Sequence, residues 1–172
     1  MRKYINIDLQ PKGRFLLREG EYPQVCYLVL KGCIRKFYVV DGVEKTTAFY
    51  TEGDPINPLI SQRDPQPSPF YLECLEDSIF SAGTADTEAA FFKRFPRFET
   101  ICRVQAENKI VELQETLAQY MISTPEQRYL TLMEARPDLL ARVPQYQLAS
   151  YVGVKPESLS RIRKRILQRK TS

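Results

Sequence analysis

Charged and hydroxyl side chains lie along one side of a helix that the sequence predicts near the C-terminus of this 172-residue chain. The helix opens at Pro156. Its outward positions carry Glu157, Ser160, Arg161 and Lys164. Arginine forks, carboxylates and hydroxyls are the groups that hydrogen-bond base edges in a major groove. These residue types therefore fit the recognition of double-stranded DNA.

A shorter helix precedes the charged one at the spacing of a helix-turn-helix. Pro144 suits the first turn of this helix, and Gly153 ends it because glycine adopts the left-handed conformation cheaply. A small residue, a glycine four positions later and apolar residues one, six and nine positions beyond it allow two helices to cross closely. An amphipathic hairpin with a solvated basic face is the alternative. The inward positions are Leu148, Ala149, Val152, Val154, Leu159, Ile162 and Ile166.

Charge is distributed unevenly along the chain, whose formal net charge is +4. Residues 1–122 contain 15 basic and 17 acidic residues, whereas residues 123–172 contain 10 basic and 4 acidic ones. A near-neutral front and a basic tail fit a control domain followed by a polyanion-binding domain. No apolar run reaches the length of a membrane span, and the N-terminus lacks the apolar block of a signal peptide. We therefore expect a cytoplasmic protein.

The composition argues against most enzyme chemistry. The chain has no histidine, which is the most versatile acid/base group and the commonest metal ligand, so an enzyme on a metal-binding β-barrel is not expected. The cysteines Cys26, Cys33, Cys74 and Cys102 form no C-x-x-C pair and lie in or beside apolar runs. We interpret them as buried, reduced thiols, and a cysteine-only metal or iron–sulfur site is the alternative. We expect no catalytic residue, no metal and no cofactor.

Residues 1–90 predict an all-β region. Short strands bounded by turn signals every eight to twelve residues are typical of a sandwich or barrel. A proline-rich loop over residues 57–69 interrupts the series. The predicted strands cover residues 4–9, 15–17, 25–30, 33–40, 45–50, 70–75 and 78–84.

Helical patterns follow. We predict a short helix over 87–95, a long one over 97–122 and another over 126–136, with a break at Pro137-Asp138. We interpret the apolar stripe of the long helix as a homodimer seam, because one small barrel cannot cover so much apolar surface. Packing of the helix on its own β-domain is the alternative. The stripe consists of Ile101, Val104, Ile110, Val111, Leu113, Leu117 and Met121.

The chain resembles a Crp/Fnr-type transcription regulator. The resemblance implies an α+β fold with an N-terminal antiparallel β-roll of the cyclic-nucleotide-binding-like jelly-roll type, a long dimerisation helix and a C-terminal helix-turn-helix domain. It divides the chain at 1–96, 97–122 and 123–172, and it implies a homodimer on pseudo-palindromic DNA with reading helices roughly 34 Å apart. RNA polymerase and an unidentified small-molecule effector are further partners that it allows. The segments that carry it are 16–20, 30–32, 51–54, 123–132 and 143–165.

The resemblance also assigns roles in the DNA-binding unit. Glu157, Ser160 and Arg161 match the base-reading positions, with Arg161 as the guanine reader. Arg169 and Lys170 add sequence-independent attraction, which depends strongly on salt. The expected phosphate contacts are Tyr146, Gln147, Lys155, Ser158, Arg163, Lys164 and Arg165.

The ligand pocket of the roll is expected to be degenerate. Cyclic-nucleotide-binding members carry a glycine and a ribose-binding glutamate where this chain has Asn57 and Pro58, and an arginine near Ser68. A proline also removes a backbone donor. We therefore expect that cyclic AMP is not the ligand; replacement of the missing arginine by Arg63 is the alternative. The pocket residues are Ile56, Asn57, Pro58, Leu59, Ser68, Pro69 and Phe70.

Several points stay open at this level. The roll could hold another small molecule or serve as an empty scaffold, and the regulator could be effector-gated or constitutive. A ligand-sensing β-roll module that acts through protein–protein contacts without DNA is the alternative function; RNA binding lacks an exposed aromatic platform. Lys155 stands where a capping Ser or Thr is expected, and its charge opposes the helix dipole. The chain ends soon after the charged helix, so we expect a β-wing to be absent or reduced.

Overall fold

The computed structural model describes residues 6–58 and 66–171. The strands are β1 (Asn6–Gln10), β2 (Phe15–Leu17), β3 (Cys26–Lys31), β4 (Ile34–Val40), β5 (Val43–Tyr50), β6 (Pro55–Ile56), β7 (Tyr71–Cys74) and β8 (Ser78–Gly83). The helices are α1 (Ala85–Arg94), α2 (Pro96–Ile122), α3 (Pro125–Ala135), α4 (Pro137–Arg142), α5 (Gln145–Val152) and α6 (Pro156–Thr171).

The strands form two antiparallel sheets that enclose a hydrophobic core. One sheet has the order β1-β8-β3-β6 and the other the order β2-β7-β4-β5. The core combines Val29, Ile56 and Phe80 from the first sheet with residues such as Ile34 and Leu72 from the second. Side chains alternate between the faces of a strand, so each sheet keeps a second, outward face. The predicted mixed α+β fold with an antiparallel N-terminal roll is confirmed.

Several element boundaries differ from the sequence prediction by one or two residues, and two elements, β6 and α4, lie where no element was predicted. Strand β5 begins at Val43 because Asp41 and Gly42 both adopt positive φ, 52° and 73°, which makes a tight hairpin between β4 and β5. The two-residue strand β6 lies in a predicted turn. Helix α4 occupies a predicted break, since proline at the first helical position lacks only a donor that would be unpaired anyway. Residues 4 and 5 of the first predicted strand lie outside the described residues.

Helix α2 covers 27 residues and has no buried residue. Its seven predicted seam residues are between 41% and 78% exposed, so the roll of the same chain does not cover the stripe. Cys102 on this helix is exposed, which makes the expectation of a buried thiol wrong at this position, whereas Cys33 and Cys74 are buried. None of the helices in residues 6–58 and 66–171 combines the length and hydropathy that a bilayer crossing requires.

The helix-turn-helix packs against the outward face of the second sheet. A single hydrophobic cluster joins Phe49 and Cys33 of the roll to the interior of the C-terminal helices. The ring of Tyr151 on α5 lies 5.3 Å from that of Phe49. The Ser150 hydroxyl donates to the carbonyl of Glu44 at 3.0 Å and accepts from the backbone N–H of Thr46 at 2.9 Å. Helix α5 therefore contacts β5 through both apolar and polar groups.

An arginine clamp reinforces this packing. The Arg142 guanidinium donates to both carboxylate oxygens of Glu52 at 2.9 Å and also binds Glu76. Glu52 accepts a further hydrogen bond from the backbone N–H of Gly32 at 2.9 Å. Hydrogen bonds from Arg142 lower the pKa of Glu52 from its ordinary value of 4.5 to about 2. We call the set Arg142, Glu52 and Glu76 the clamp.

The clamp predicts a pH-dependent stability. Because the pKa of Glu52 is lower in the folded chain, its ionised form stabilises the fold above pH 4.5, and this contribution is lost as the pH falls towards about 2. Urea unfolding should show Glu52→Gln less stable than the wild-type chain by about 1 kcal/mol at neutral pH. The difference should vanish in acid.

The matched control is Glu112→Gln on α2, which removes an exposed pair with Lys109. It should leave the free energy of unfolding nearly unchanged at all pH values. A Glu52→Gln variant that also matches the wild-type chain at neutral pH would show that the clamp does not stabilise the fold.

Candidate nucleic-acid interface

Helices α5 and α6 form the expected helix-turn-helix. Gly153 adopts φ 82°, and the N–H of Val154 donates to the carbonyl of Ala149 at 2.9 Å, which closes the end of α5. Ala149, Val152 and Leu159 are at most 2% exposed where the helices cross. Helix α5 begins at Gln145, and the predicted first residue Pro144 precedes it as the capping position.

The outward face of α6 is accessible while α5 rests on the roll. Glu157, Ser160, Arg161 and Lys164 are all exposed. The Arg161 guanidinium donates to the Ser158 hydroxyl at 3.3 Å, so the structure pairs this arginine with the serine one turn earlier. The four side chains lie on the exposed face of the helix.

Some of the predicted phosphate contacts are exposed side chains without a carboxylate partner in the described residues, and others bind a carboxylate of the same chain. Tyr146 and Lys155 are exposed, and Arg163 is half-buried. Arg165 and Arg169 each donate to one carboxylate oxygen of Glu126 on α3, both at 2.7 Å. This carboxylate therefore forms ion pairs with two of the arginines that were assigned to the polyanion, and their side chains stay 55% and 67% exposed. The side chain of Lys170 lies outside the described residues.

Gln147 is not where a phosphate contact requires it. Its side chain is 3% exposed, because Gln147, Ser150 and Tyr151 share the face of α5 that packs on β5. The amide nitrogen donates to the Tyr146 hydroxyl at 3.2 Å. Its oxygen is buried without a hydrogen-bond partner in the described part of the chain. The expected phosphate contact of Gln147 is therefore wrong for this arrangement of the helix-turn-helix and the roll.

Arg128 on α3 was not identified from the sequence and connects three helices. Its Nε donates to the carbonyl of Val152 at 2.8 Å, at the end of α5. Its Nη1 donates to the carbonyls of Ser123 at 2.7 Å and Tyr120 at 3.3 Å, at the end of α2. Carbonyls at helix C-termini carry partial negative charge and favour a cation. Arg128 thus fixes the helix-turn-helix to the end of the long helix.

The predicted pocket residues of the roll belong largely to its core. Ile56, Ser68 and Phe70 are buried, and the Cys26 thiol donates to the amide oxygen of Asn57 at 3.5 Å. Leu59 and Arg63 lie outside the described residues. Within residues 6–58 and 66–171, no group of three or more Cys, Asp and Glu side chains is arranged to hold a metal ion.

Lys36 on β4 supplies a cation that the pocket motif lacks. Its ammonium lies 3.9 Å from the centre of the Phe70 ring, beside the segment where the resemblance places an arginine. The sequence signal is a lysine at an inward position of an otherwise largely apolar strand, and the family's motif residues do not include this position.

The combination of a β-roll, a long uncovered helix and a helix-turn-helix defines a class of protein. It is the architecture of Crp/Fnr-type transcription regulators. The structure of FixK2 from Bradyrhizobium japonicum matches with a TM-score of 0.78 at 15% identity, covering 96% of this chain and 86% of that one. The match to the c-di-GMP-responsive regulator CLP from Xanthomonas campestris has a TM-score of 0.73 at 16% identity, with 98% and 89% covered.

A third structure, the catabolite activator protein from Thermus thermophilus, is 21% identical, with a TM-score of 0.52 and 98% and 81% of the two chains covered. No protein-family model matches the sequence, and no curated protein sequence matches it either. At these identities the similarity establishes the fold, so this chain has the fold of a Crp/Fnr-type regulator.

The three carbonyl contacts of Arg128 predict that a lysine cannot replace it. Arg128→Lys keeps the charge but presents a point donor in place of a planar fork. We expect chemical denaturation to show a loss of about 1–2 kcal/mol, the scale of one or two charged hydrogen bonds. Arg103→Lys, at an exposed pair on α2, should stay within about 0.5 kcal/mol of the wild-type chain. Equal effects of the two substitutions would contradict the bridging role.

Proposed function

We propose that this chain is a sequence-specific, DNA-binding transcription regulator of the Crp/Fnr type, which binds pseudo-palindromic DNA as a homodimer in the cytoplasm. The observation that carries the proposal is the exposed reading face of α6 on a helix-turn-helix whose position is fixed by Arg128 and the clamp. In this proposal residues 1–96 form a sensor, residues 97–122 a dimerisation helix and residues 123–172 the DNA-binding domain, with no catalytic step.

Base recognition rests on α6. Arg161 offers a planar fork that matches the O6 and N7 acceptors of guanine. Its hydrogen bond to Ser158 at 3.3 Å is long enough to be exchanged for a base contact at small cost. Glu157 accepts from a cytosine amine, and Ser160 contacts a base edge. Tyr146, Lys155, Ser158, Arg163 and Lys164 contact phosphates and position the helix without reading sequence.

Dimerisation rests on the uncovered apolar stripe of α2. At 1.5 Å per residue the helix is about 40 Å long, which suits a two-helix seam. Fully burying one valine, isoleucine or leucine stabilises an association by about 1.5–3 kcal/mol. Since Arg128 ties each helix-turn-helix to the end of α2, pairing two α2 helices also sets the separation of the two reading helices.

The proposed roles of Arg161 and Lys164 are distinguishable. Selection of bound duplexes from a random pool first gives the half-site. Arg161→Ala should then lose about 1–3 kcal/mol of discrimination at one base pair per half-site. Lys164→Ala should weaken binding to specific and random duplexes alike and reduce the salt dependence by about one ion per half-site.

Equal losses for the two variants on both duplexes would contradict this assignment. Failure of the wild-type chain to bind any duplex at low salt would contradict the DNA-binding function altogether. It would favour a ligand-sensing module that acts through protein contacts.

The dimer seam predicts the effect of one buried charge. Val111→Asp should dissociate the dimer, because a carboxylate in an apolar helix–helix seam loses its hydration without gaining a partner. Sedimentation equilibrium should give a dimer mass for the wild-type chain and a monomer mass for the variant. Thr116→Asp adds the same charge on the polar side of α2 and should remain dimeric. A monomeric wild-type chain at micromolar concentration would overturn the seam.

A further inference from the structure

Glu126, in the first turn of α3, forms ion pairs with two arginines of α6. Its Oε2 atom accepts a hydrogen bond from Nη1 of Arg165, and its Oε1 atom accepts one from Nη1 of Arg169, both at 2.7 Å. The glutamate side chain is 19% exposed, whereas both arginine side chains are more than half exposed. One carboxylate therefore lies between two cations that are otherwise open to solvent.

The fold holds this carboxylate beside α6. The first turn of α3 is fixed by a capping box, in which the Thr124 hydroxyl accepts from the N–H of Gln127 and the Gln127 amide oxygen accepts from the N–H of Thr124. The positive end of the helix dipole favours an acidic side chain in this turn. Arg128, two residues further on, ties the same turn to the ends of α2 and α5. The negative charge therefore stays next to α6 when a polyanion approaches.

Arg165 and Arg169 lie beside the reading face of α6 rather than at its centre. At about 100° per residue they are turned by about 80° and 120° from Glu157, whereas Lys164 is within about 20° of it. Both arginines bind Glu126, so they lie on the side of α6 that faces α3. A helix in the major groove has a phosphate backbone on either side of it. The two arginines and the carboxylate would therefore face the same backbone.

The charges on this side of α6 affect the attraction to DNA of any sequence. Sequence-independent binding comes from lysines and arginines that neutralise phosphates and release counterions. Two arginines and one carboxylate leave a single net positive charge here, where the arginines alone would leave two. Each guanidinium must also give up or share a charge-assisted hydrogen bond before it binds a phosphate. Glu126 therefore lowers the contribution of both arginines to this attraction.

The reduction should be larger on random DNA than at a specific site. Base contacts hold α6 in one register at its specific site, so the arginines beside the reading face meet only the phosphates that this register offers. On random DNA the protein slides and is free to place its cations against phosphates. A fixed carboxylate opposes that placement, so it raises the ratio of specific to random affinity.

We infer that Glu126 is a specificity determinant of the DNA-binding unit, because its carboxylate restrains Arg165 and Arg169 and thereby limits binding to DNA of random sequence. The inference rests on the proposed function, since it concerns the same surface of α6. It adds to that function a residue that lies outside the helix-turn-helix and reads no base.

Binding of the full chain to a random-sequence duplex and to the selected site tests this inference. Fluorescence anisotropy over a range of salt concentrations gives the affinity and its salt dependence. Glu126→Gln removes the charge but keeps the shape of the side chain. We expect it to bind the random duplex about threefold or more tighter at about 0.15 M salt, with a salt dependence steeper by about one ion per protomer. Its affinity for the selected site should rise less, so that the ratio of the two affinities falls.

Three further variants separate the ion pairs from other effects. Glu134→Gln removes an equal charge at an exposed position of α3, whereas both arginines pair with Glu126, so it should bind as the wild-type chain does. Glu126→Asp keeps the charge and should keep most of the wild-type ratio. Replacing both arginines by glutamine in the Glu126→Gln chain should remove the gain on the random duplex. Thermal melting checks that each variant is folded.

Three results would overturn the inference and leave the proposed function standing. The first is a Glu126→Gln chain that binds the random duplex no tighter than the wild-type chain, which would show that the carboxylate does not restrain the arginines. The second is an equal gain on both duplexes, and the third is an equal gain from Glu134→Gln, which would reduce the effect to net charge. A wild-type chain that binds no duplex at low salt would overturn the proposed function and this inference together.

Discussion

One guanidinium holds together the parts of this chain that would have to act together. Arg128 donates to carbonyls at the ends of α2 and α5, which are the helix proposed to join two protomers and the helix that supports α6. Those carbonyls lack partners within their own helices, so a fixed planar donor satisfies them in one orientation. Gly153 at this junction adopts φ 82°, a left-handed conformation that residues with a Cβ rarely take, and a Cβ there would lie 2.7 Å from the Tyr120 hydroxyl. The position of α6 follows from these contacts together with the packing of its own Leu159, Ile162 and Ile166 in the hydrophobic cluster.

Acidic residues form ion pairs with some of the basic side chains near the C-terminus, and those arginines are less available to a polyanion. Glu126 forms ion pairs with Arg165 and Arg169, and Arg142 forms ion pairs with Glu52 and Glu76 in the clamp. Arg161 and Lys164 on α6 are exposed and form no ion pair with a carboxylate in the described residues. The excess of basic residues in the C-terminal fifty residues is therefore partly structural. Arg161 and Lys164 lie on the outward face of α6, where they could contact base edges as well as phosphates.

The sequence predicts what local patterns determine. Gly153, the spacing around it and the length of α2 each reflect interactions within a few turns of chain, and the structure has this turn and this helix where the sequence predicts them. The contacts that position the helix-turn-helix are of another kind. Arg142 and Glu52 are 90 residues apart, and Ser150 is 104 residues from Thr46. No periodicity encodes such pairs, since they depend on how two folded units meet.

The same limit explains the residues whose roles were missed or misassigned. Gln147 looks like any polar residue early in a helix, and only the packing of α5 on β5 shows that it is covered. Lys36 carries a signal, because a lysine at an inward strand position conflicts with the alternation around it. Recognising that conflict requires knowing which face of β4 is inside. Arg128 lies in the first turns of an ordinary helix, and its three acceptors come from the ends of two other helices.

One hydrophobic cluster contains Phe49 and Cys33 of the roll together with Val152 and Leu159 of the helix-turn-helix. Two units that share a core do not change independently. Any free energy that a ligand contributes to one conformation of the roll is shared with the helix-turn-helix, and the exchange is reciprocal by thermodynamic linkage. A duplex that favours one placement of α5 on β5 would alter the affinity inside the roll by the same factor. The contacts between the roll and the helix-turn-helix therefore determine the coupling free energy between the two units, which acts equally in both directions.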